Sequence, residues 1–186
     1  MSIRKGIKMK IVISGHMNGL GLALSNIFEG KGYTISGYDL LNDKDLNNTT
    51  VIEELISDCI DTDIFVNNAL PNQSLLLTRV FNLWMGKEKT IINISSAITY
   101  FPNAPVTDID LSNYIASKKT LDRLVEFNRE RSPFPYIMNV RPCWFESEMV
   151  KDFNTKKMNP NDIANLVVMM YDMREAVRIA DIVLEK

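Results

Sequence analysis

Tyr114 and Lys118 stand four residues apart in YIASK, one turn of a helix, so both side chains project from the same face. A phenol beside an ammonium is a proton-transfer pair. The positive charge favours phenolate and lowers the tyrosine pKa, which suits it to general acid/base work near neutral pH. Alone, Y-x-x-x-K is a common spacing and equally describes a solvated pair on a helix surface. Upstream, however, IINISS reads as a buried strand that ends in two serines. A serine hydroxyl there can hold a carbonyl oxygen beside the tyrosine and leave its carbon open to hydride.

A second constellation lies near the start of the chain. SGHMNGLG follows the apolar run KIVIS and spaces Gly15, Gly19 and Gly21 as G-x-x-x-G-x-G, with Asn18 and Leu20 between them. Without side chains, such a backbone bends sharply, admits a pyrophosphate and packs its helix closely on a sheet. The same pattern also describes an ordinary packing turn. Asp39 closes the second strand 18 positions after Gly21, where a carboxylate can accept hydrogen bonds from both adenosine ribose hydroxyls. It would repel a 2′-phosphate, and no arginine follows to bind one, so the expected cofactor is NAD in preference to NADP. The alternative for Asp39 is a solvated loop carboxylate. His16 occupies a variable slot of the loop with no second ligand in sight.

These residues need elements to position them. KIVIS (10–14), YTISGYD (33–39), DIFVNNA, KTIINIS, YIMNVRP and VRIADIVLE read as strands. Between them run helical patterns: Leu20, Ala23, Leu24, Ile27 and Phe28; TVIEELISDC; LLLTRVFNLWM; 112–131, halted by SPFP; and a last helix opening at NPND. The polar stretch 42–50 reads as a loop with room for a rudimentary third strand. Apolar strands alternating with amphipathic helices predict one α/β domain, a three-layer doubly wound parallel sheet of Rossmann-like type. Residues 1–9 read as an N-terminal extension and 10–186 as the domain. In such a fold ligands sit beyond the carboxyl ends of the strands, where the first loop is the expected phosphate site.

From about residue 10 to 186 the chain resembles the short-chain dehydrogenase/reductase family, through SGHMNGLG, DIFVNNA, IINISS, YIASK and NVRPCWFES in that family's order. The resemblance implies roles residue by residue. Ser96 matches the substrate-orienting serine, Tyr114 the catalytic acid/base, and Lys118 the lysine that lowers the tyrosine pKa and bonds the nicotinamide ribose. Gly15, Asn18, Gly19, Leu20 and Gly21 match the phosphate loop, and Asn67, Asn68 and Ala69 the turn beside the cofactor. Asp45 matches the acidic residue at the adenine. Pro142 begins the segment passing the nicotinamide, and Ser147 falls where a carboxamide-binding threonine is frequent. The implied activity is hydride transfer between a nicotinamide nucleotide and a small carbonyl or alcohol, and a homodimer or homotetramer stays open.

The chain departs from the family pattern in its pocket. Leu70, then Pro71, stand where the asparagine turn ends in glycine, and Cys143 replaces the glycine after Pro142. Only 26 positions separate Ala69 from Ser95, which cuts short the helix that bears a relay asparagine, and Asn72 is the nearest candidate. Residues 150–159 replace a longer substrate-covering segment. Two further readings therefore stay open: a weakly catalytic nucleotide-binding sensor or scaffold, and an epimerase or lyase using bound NAD.

Composition excludes other classes. A chain of 186 residues holds one domain with a substantial core. A formal charge of −2 gives no electrostatic case for nucleic acid or an anionic membrane, and no apolar run approaches the roughly 20 residues of a membrane span. One histidine and scattered carboxylates make no metal-ligand cluster. MSIRKGIKMK is basic without the apolar core of a signal peptide, and Cys59 and Cys143 read as reduced, buried thiols, which together predict a cytoplasmic protein.

Overall fold

The computed structural model describes residues 9–100, 111–152 and 154–185, so the expected extension lies almost wholly outside the described residues. Six strands form one parallel sheet: β1 (Lys10–Ser14), β2 (Thr34–Tyr38), β3 (Ile64–Asn67), β4 (Thr90–Ile94), β5 (Tyr136–Pro142) and β6 (Asp181–Leu184). Their order is β2-β1-β3-β4-β5-β6. The chain thus reverses direction across β1, and the carboxyl ends of β1 and β3 flank a crevice at that switch point. Among the described residues five α-helices connect them: α1 (Gly19–Gly30), α2 (Thr49–Asp58), α3 (Gln73–Trp84), α4 (Ser112–Arg131) and α5 (Pro160–Asp172).

Alternate strand residues face opposite layers, as a period of two requires. Ile11, Ile13, Ile64, Val66, Ile92, Met138 and Val140 pack against Leu20, Leu24 and Phe28 of α1 and Ile163, Val167 and Tyr171 of α5. Val12, Phe65, Ile91 and Ile137 pack against α2, α3 and α4, where Leu55, Phe81, Trp84, Leu121 and Val125 are buried. Both faces are covered, which is why the strands read as continuous apolar runs rather than alternating ones. Asn159 caps α5 through the Asn161 amide with Pro160 in the first turn, as the sequence predicts. The rudimentary third strand does not form. Leu40–Asn42 instead make a 3-10 turn, because the Asp39 and Asn42 side chains cap each other's backbone and close it locally. Cys59 is buried and Cys143 half-buried, both free. Among the described residues no helix is long and apolar enough to cross a membrane.

One row of this sheet is polar. The register sets Asn67 beside Asn93, Asn93 beside Asn139, and Asn139 beside Asp181. Their side chains bond in one direction across the strands. Asn67 Nδ2 donates to Asn93 Oδ1 at 2.8 Å, and Asn93 Nδ2 to Asn139 Oδ1 at 2.7 Å. Asn139 Nδ2 then donates to Asp122 Oδ1 of α4 at 3.1 Å and to Asp181 Oδ1 at 3.2 Å. Arg141 closes the row with ion pairs to both carboxylates. A strand slipped by one residue would turn a buried amide into the apolar layer, so the row specifies register as well as stability.

Candidate functional site

The carboxyl end of β1 is tied to that of β3 by one hydroxyl. Ser14 Oγ donates to the Val66 carbonyl and accepts from the amides of Asn68, at 2.9 Å, and Ala69, at 3.1 Å. Asn68 Nδ2 returns bonds to the carbonyls of Ser14 and Gly15. This tight stitching explains the glycines. A Cβ on Gly21 would lie 1.7 Å from the Gly15 carbonyl oxygen, and one on Gly15, at φ +70°, would lie 2.9 Å from Asn68 Nδ2. The loop brings the first turn of α1 to the cavity with no side-chain cap and no acidic residue in that turn. Such an end carries unsatisfied amides and partial positive charge, suited to an anion. Beside it, Asp39 Oδ2 accepts from the Met17 amide and Oδ1 from the Leu41 amide, each at 3.0 Å. The carboxylate also closes the capping box with Asn42 and keeps lone-pair capacity for a ligand hydroxyl.

At the other end of the cavity, β4 delivers Ser95 and Ser96 and α4 delivers Tyr114 and Lys118. Ser96 caps the turn at Ala97–Thr99, accepting from the Ile98 amide. Lys118 is 4% exposed, and its Nζ donates to Gln73 Oε1 at 2.6 Å and to the Ile94 carbonyl at 3.0 Å. Burial lowers its pKa from 10.5 to about 8, with the Asp122 carboxylate opposing the shift. The Tyr114 ring centroid is 5.6 Å from Nζ. The expectation that Lys118 depresses the tyrosine needs correcting. The Tyr114 pKa is raised, by burial, and a hydrogen bond with Ser96 pulls it partly back. The ammonium is instead turned onto Gln73 and Ile94.

These two ends share one cavity of about 500 Å³, within the range of small-molecule and cofactor sites. Gly15, Asn18, Gly19, Leu20, Asp39, Asp45, Asn68, Ala69, Ser96, Tyr114, Lys118, Pro142 and Ser147 all line it. Gly21 and Asn67 do not: Gly21 packs behind the loop, and Asn67 lies beneath the floor in the asparagine row. Asn72, the nearest candidate for a relay, donates its amide to the Leu46 carbonyl at 2.8 Å. Two residues outside the sequence-based set enter the site. Gln73 holds Lys118, and Ser95 lines the cavity with a buried hydroxyl that has no partner among the described residues. The doubled serine was a visible signal for Ser95; nothing local marks Gln73.

No protein-family model matches the chain, and no curated protein matches it in sequence. Solved structures match it closely in shape. A short-chain dehydrogenase from Burkholderia cenocepacia J2315 in complex with NADP superposes with a TM-score of 0.75 at 15% identity, over 96% of this chain and 88% of that one. A closed form of serine dehydrogenase complexed with NADP+ gives 0.75 at 18% identity, over 95% and 94%. An alcohol dehydrogenase from the archaeon Thermococcus sibiricus, complexed with 5-hydroxy-NADP, gives 0.72 at 15%, over 96% of each. The chain has the fold of these enzymes, the doubly wound sheet that its sequence predicts.

Proposed function

We propose that this chain is a short-chain dehydrogenase/reductase that moves hydride between a nicotinamide nucleotide and a small carbonyl or alcohol. One observation carries the reading: an anion-ready helix end with Asp39 beside it opens into the same cavity as Ser96, Tyr114 and Lys118. A scaffold that merely held a nucleotide would gain nothing from an ammonium buried at the far end, where desolvation is costly.

The residues present suit the nucleotide. The uncapped first turn of α1 takes the pyrophosphate, Asp39 the adenosine ribose hydroxyls, and Asp45 the adenine edge. Lys118 has three donors and uses two, leaving one for a ribose hydroxyl near the nicotinamide. Asn68 and Ala69 form the adjacent wall, and the segment from Pro142 to Ser147 faces the carboxamide. When bound, the cofactor supplies or accepts the hydride. Ser96 holds the substrate oxygen, and Tyr114 donates its phenolic proton to that oxygen on reduction and recovers it on oxidation. A raised tyrosine pKa keeps the proton in place for the reductive direction. Because a 2′-phosphate would meet the Asp39 carboxylate, NAD is the preferred form, although the three enzymes above were named with NADP or its derivative.

Calorimetric titration with NADH and NADPH tests this. We expect NADH to bind and Tyr114→Phe to keep that affinity while turnover on a panel of carbonyls falls by roughly a hundredfold or more. No binding of either nucleotide at millimolar concentration, or retained turnover in Tyr114→Phe, would overturn it.

A further inference from the structure

We propose that Gln73 is the positioning residue for Lys118, fixing where its ammonium stands in the cavity and in what protonation state. The inference takes its functional meaning from the reading above, but its geometry is independent of any ligand. Gln73 is the first residue of α3 and 4% exposed. Its side chain folds back into the gap between the carboxyl ends of β3 and β4. There Nε2 donates to the Asn67 carbonyl and to the Ile94 carbonyl, each at 2.9 Å. Those bonds settle which way the amide faces. Reversed, Oε1 would confront two carbonyl oxygens, and the NH2 group would confront an ammonium. With Nε2 committed, Oε1 has one direction left, and Lys118 Nζ lies there at 2.6 Å.

The Ile94 carbonyl accepts from both Gln73 and Lys118, so the three groups form a closed cluster. The carbonyl being bonded belongs to the residue just before Ser95 and Ser96, so the cluster ties the lysine to the strand that carries the serines. Gln73 is held in turn from below, because Asn67 Nδ2 donates to its carbonyl at 3.0 Å while also heading the asparagine row. Gln73 is therefore a rigid acceptor and not a titrating one. Both of its amide hydrogens end on main-chain carbonyls, which cannot pass a proton on.

Among the described residues, the charged and titratable groups around Lys118 are Tyr114 and Asp122 on its own helix and, through Asp122, Arg141 on β5. α3 presents the neutral Gln73. Removing that acceptor destabilises the charged lysine, whereas a carboxylate in its place stabilises it, even as the second oxygen meets the Asn67 and Ile94 carbonyls. A purely structural staple between β3 and β4 would not move the lysine in opposite directions in these two variants.

The experiment is a pH titration of the Lys118 Nζ nitrogen signal in the full-length, 15N-lysine-labelled protein without nucleotide, assigned by its loss in Lys118→Met. Gln73→Leu should make Lys118 lose its proton roughly tenfold more readily, and Gln73→Glu should make it hold the proton at least tenfold more tightly. Titrations that coincide with wild type, or that move the same way in both variants, overturn the proposal. If Gln73→Leu fails to fold, Gln73→Glu decides alone: a tighter proton supports it and an unchanged one refutes it. A parallel NADH titration should show at least a tenfold weaker complex in Gln73→Leu. If wild type binds no nucleotide, the dehydrogenase reading fails, and the lysine titration still judges Gln73.

Discussion

Replacing Lys118 by methionine should change how stability depends on pH, and the size of the change follows from the site. Burial lowers the lysine from its ordinary 10.5 to about 8 in the folded chain. Below pH 8 the lysine is charged in both states, and the folded state bears the whole cost of enclosing the ammonium. Between pH 8 and 10.5 the folded lysine is neutral while the unfolded one keeps its proton. The unfolded state then binds more protons, so stability rises with pH across that window and levels off above it. At about 1.4 kcal/mol per tenfold change in proton affinity, the rise is about 3 kcal/mol. Tyr114 is raised above its ordinary value and stays neutral through most of the window, so it does not mask the effect. Lys118→Met loses two hydrogen bonds and strands Gln73 Oε1, which costs about 1–3 kcal/mol at every pH. Urea melts of wild type and Lys118→Met at pH 7, 8, 9, 10 and 10.5 separate the two effects. At pH 7 the offset is the hydrogen-bond loss less the relieved cost of enclosing the ammonium, and wild type should gain about 3 kcal/mol on the variant by pH 10.5. Parallel stability curves would refute the argument, because an unperturbed lysine is not an enclosed one.

Three further outcomes are expected. Asn93→Leu should cost roughly 2–4 kcal/mol in a denaturant melt, since it strands buried groups of Asn67 and Asn139 on either side; a loss under 1 kcal/mol would mean the row is not a continuous bonded unit. Gly37→Ala should cost about 1–3 kcal/mol, because its Cβ would lie 2.2–2.4 Å from the His16 ring, and His16→Ala in that background should restore most of the loss; no recovery would place the strain elsewhere. Asp39→Asn should weaken NADH by about tenfold and narrow its margin over NADPH, read by paired calorimetric titrations; an unchanged preference would remove Asp39 from the ribose site.

The parts of this molecule legible in its sequence are those fixed by neighbours along the chain. KIVIS and IINIS read as strands because both of their faces are covered, and the end of α4 was set by the SPFP stop. Ser96, Tyr114 and Lys118 were placed in one cavity because a strand end and a helical turn give fixed directions to their side chains. What was missed depends on pairs far apart in sequence. His16 looked idle within its loop, yet its ring lies on Gly37 of β2, and only the fold brings the two together. Asn67 was read with the turn beside the cofactor and nothing marked Asn93 or Asn139, because the meaning of all three lies in a register that no single strand encodes. The Tyr114 pKa was misjudged for a related reason. Spacing shows that an ammonium is near, but burial and the direction of its hydrogen bonds decide which effect wins.

The two ends of the cavity are consequently held by different physics, and they should tolerate change differently. At the glycine end, contact is between backbones: the Gly21 position abuts the Gly15 carbonyl, so an added methyl has nothing flexible to push aside. At the lysine end, contact is between side chains bonded in a fixed order, and substitutions there act through protonation and orientation more than through space. That difference bears on how so short a chain keeps a buried lysine in place. α3 runs 12 residues from Gln73 to Trp84, and among the described residues only Gln73 of this helix bonds the ammonium. Gln73 needs none of that length, because it acts from the first residue of the helix and is anchored on the ends of the two strands beneath it. Moving the start of α3 by one residue should therefore release the lysine, read as a shift in its pH titration.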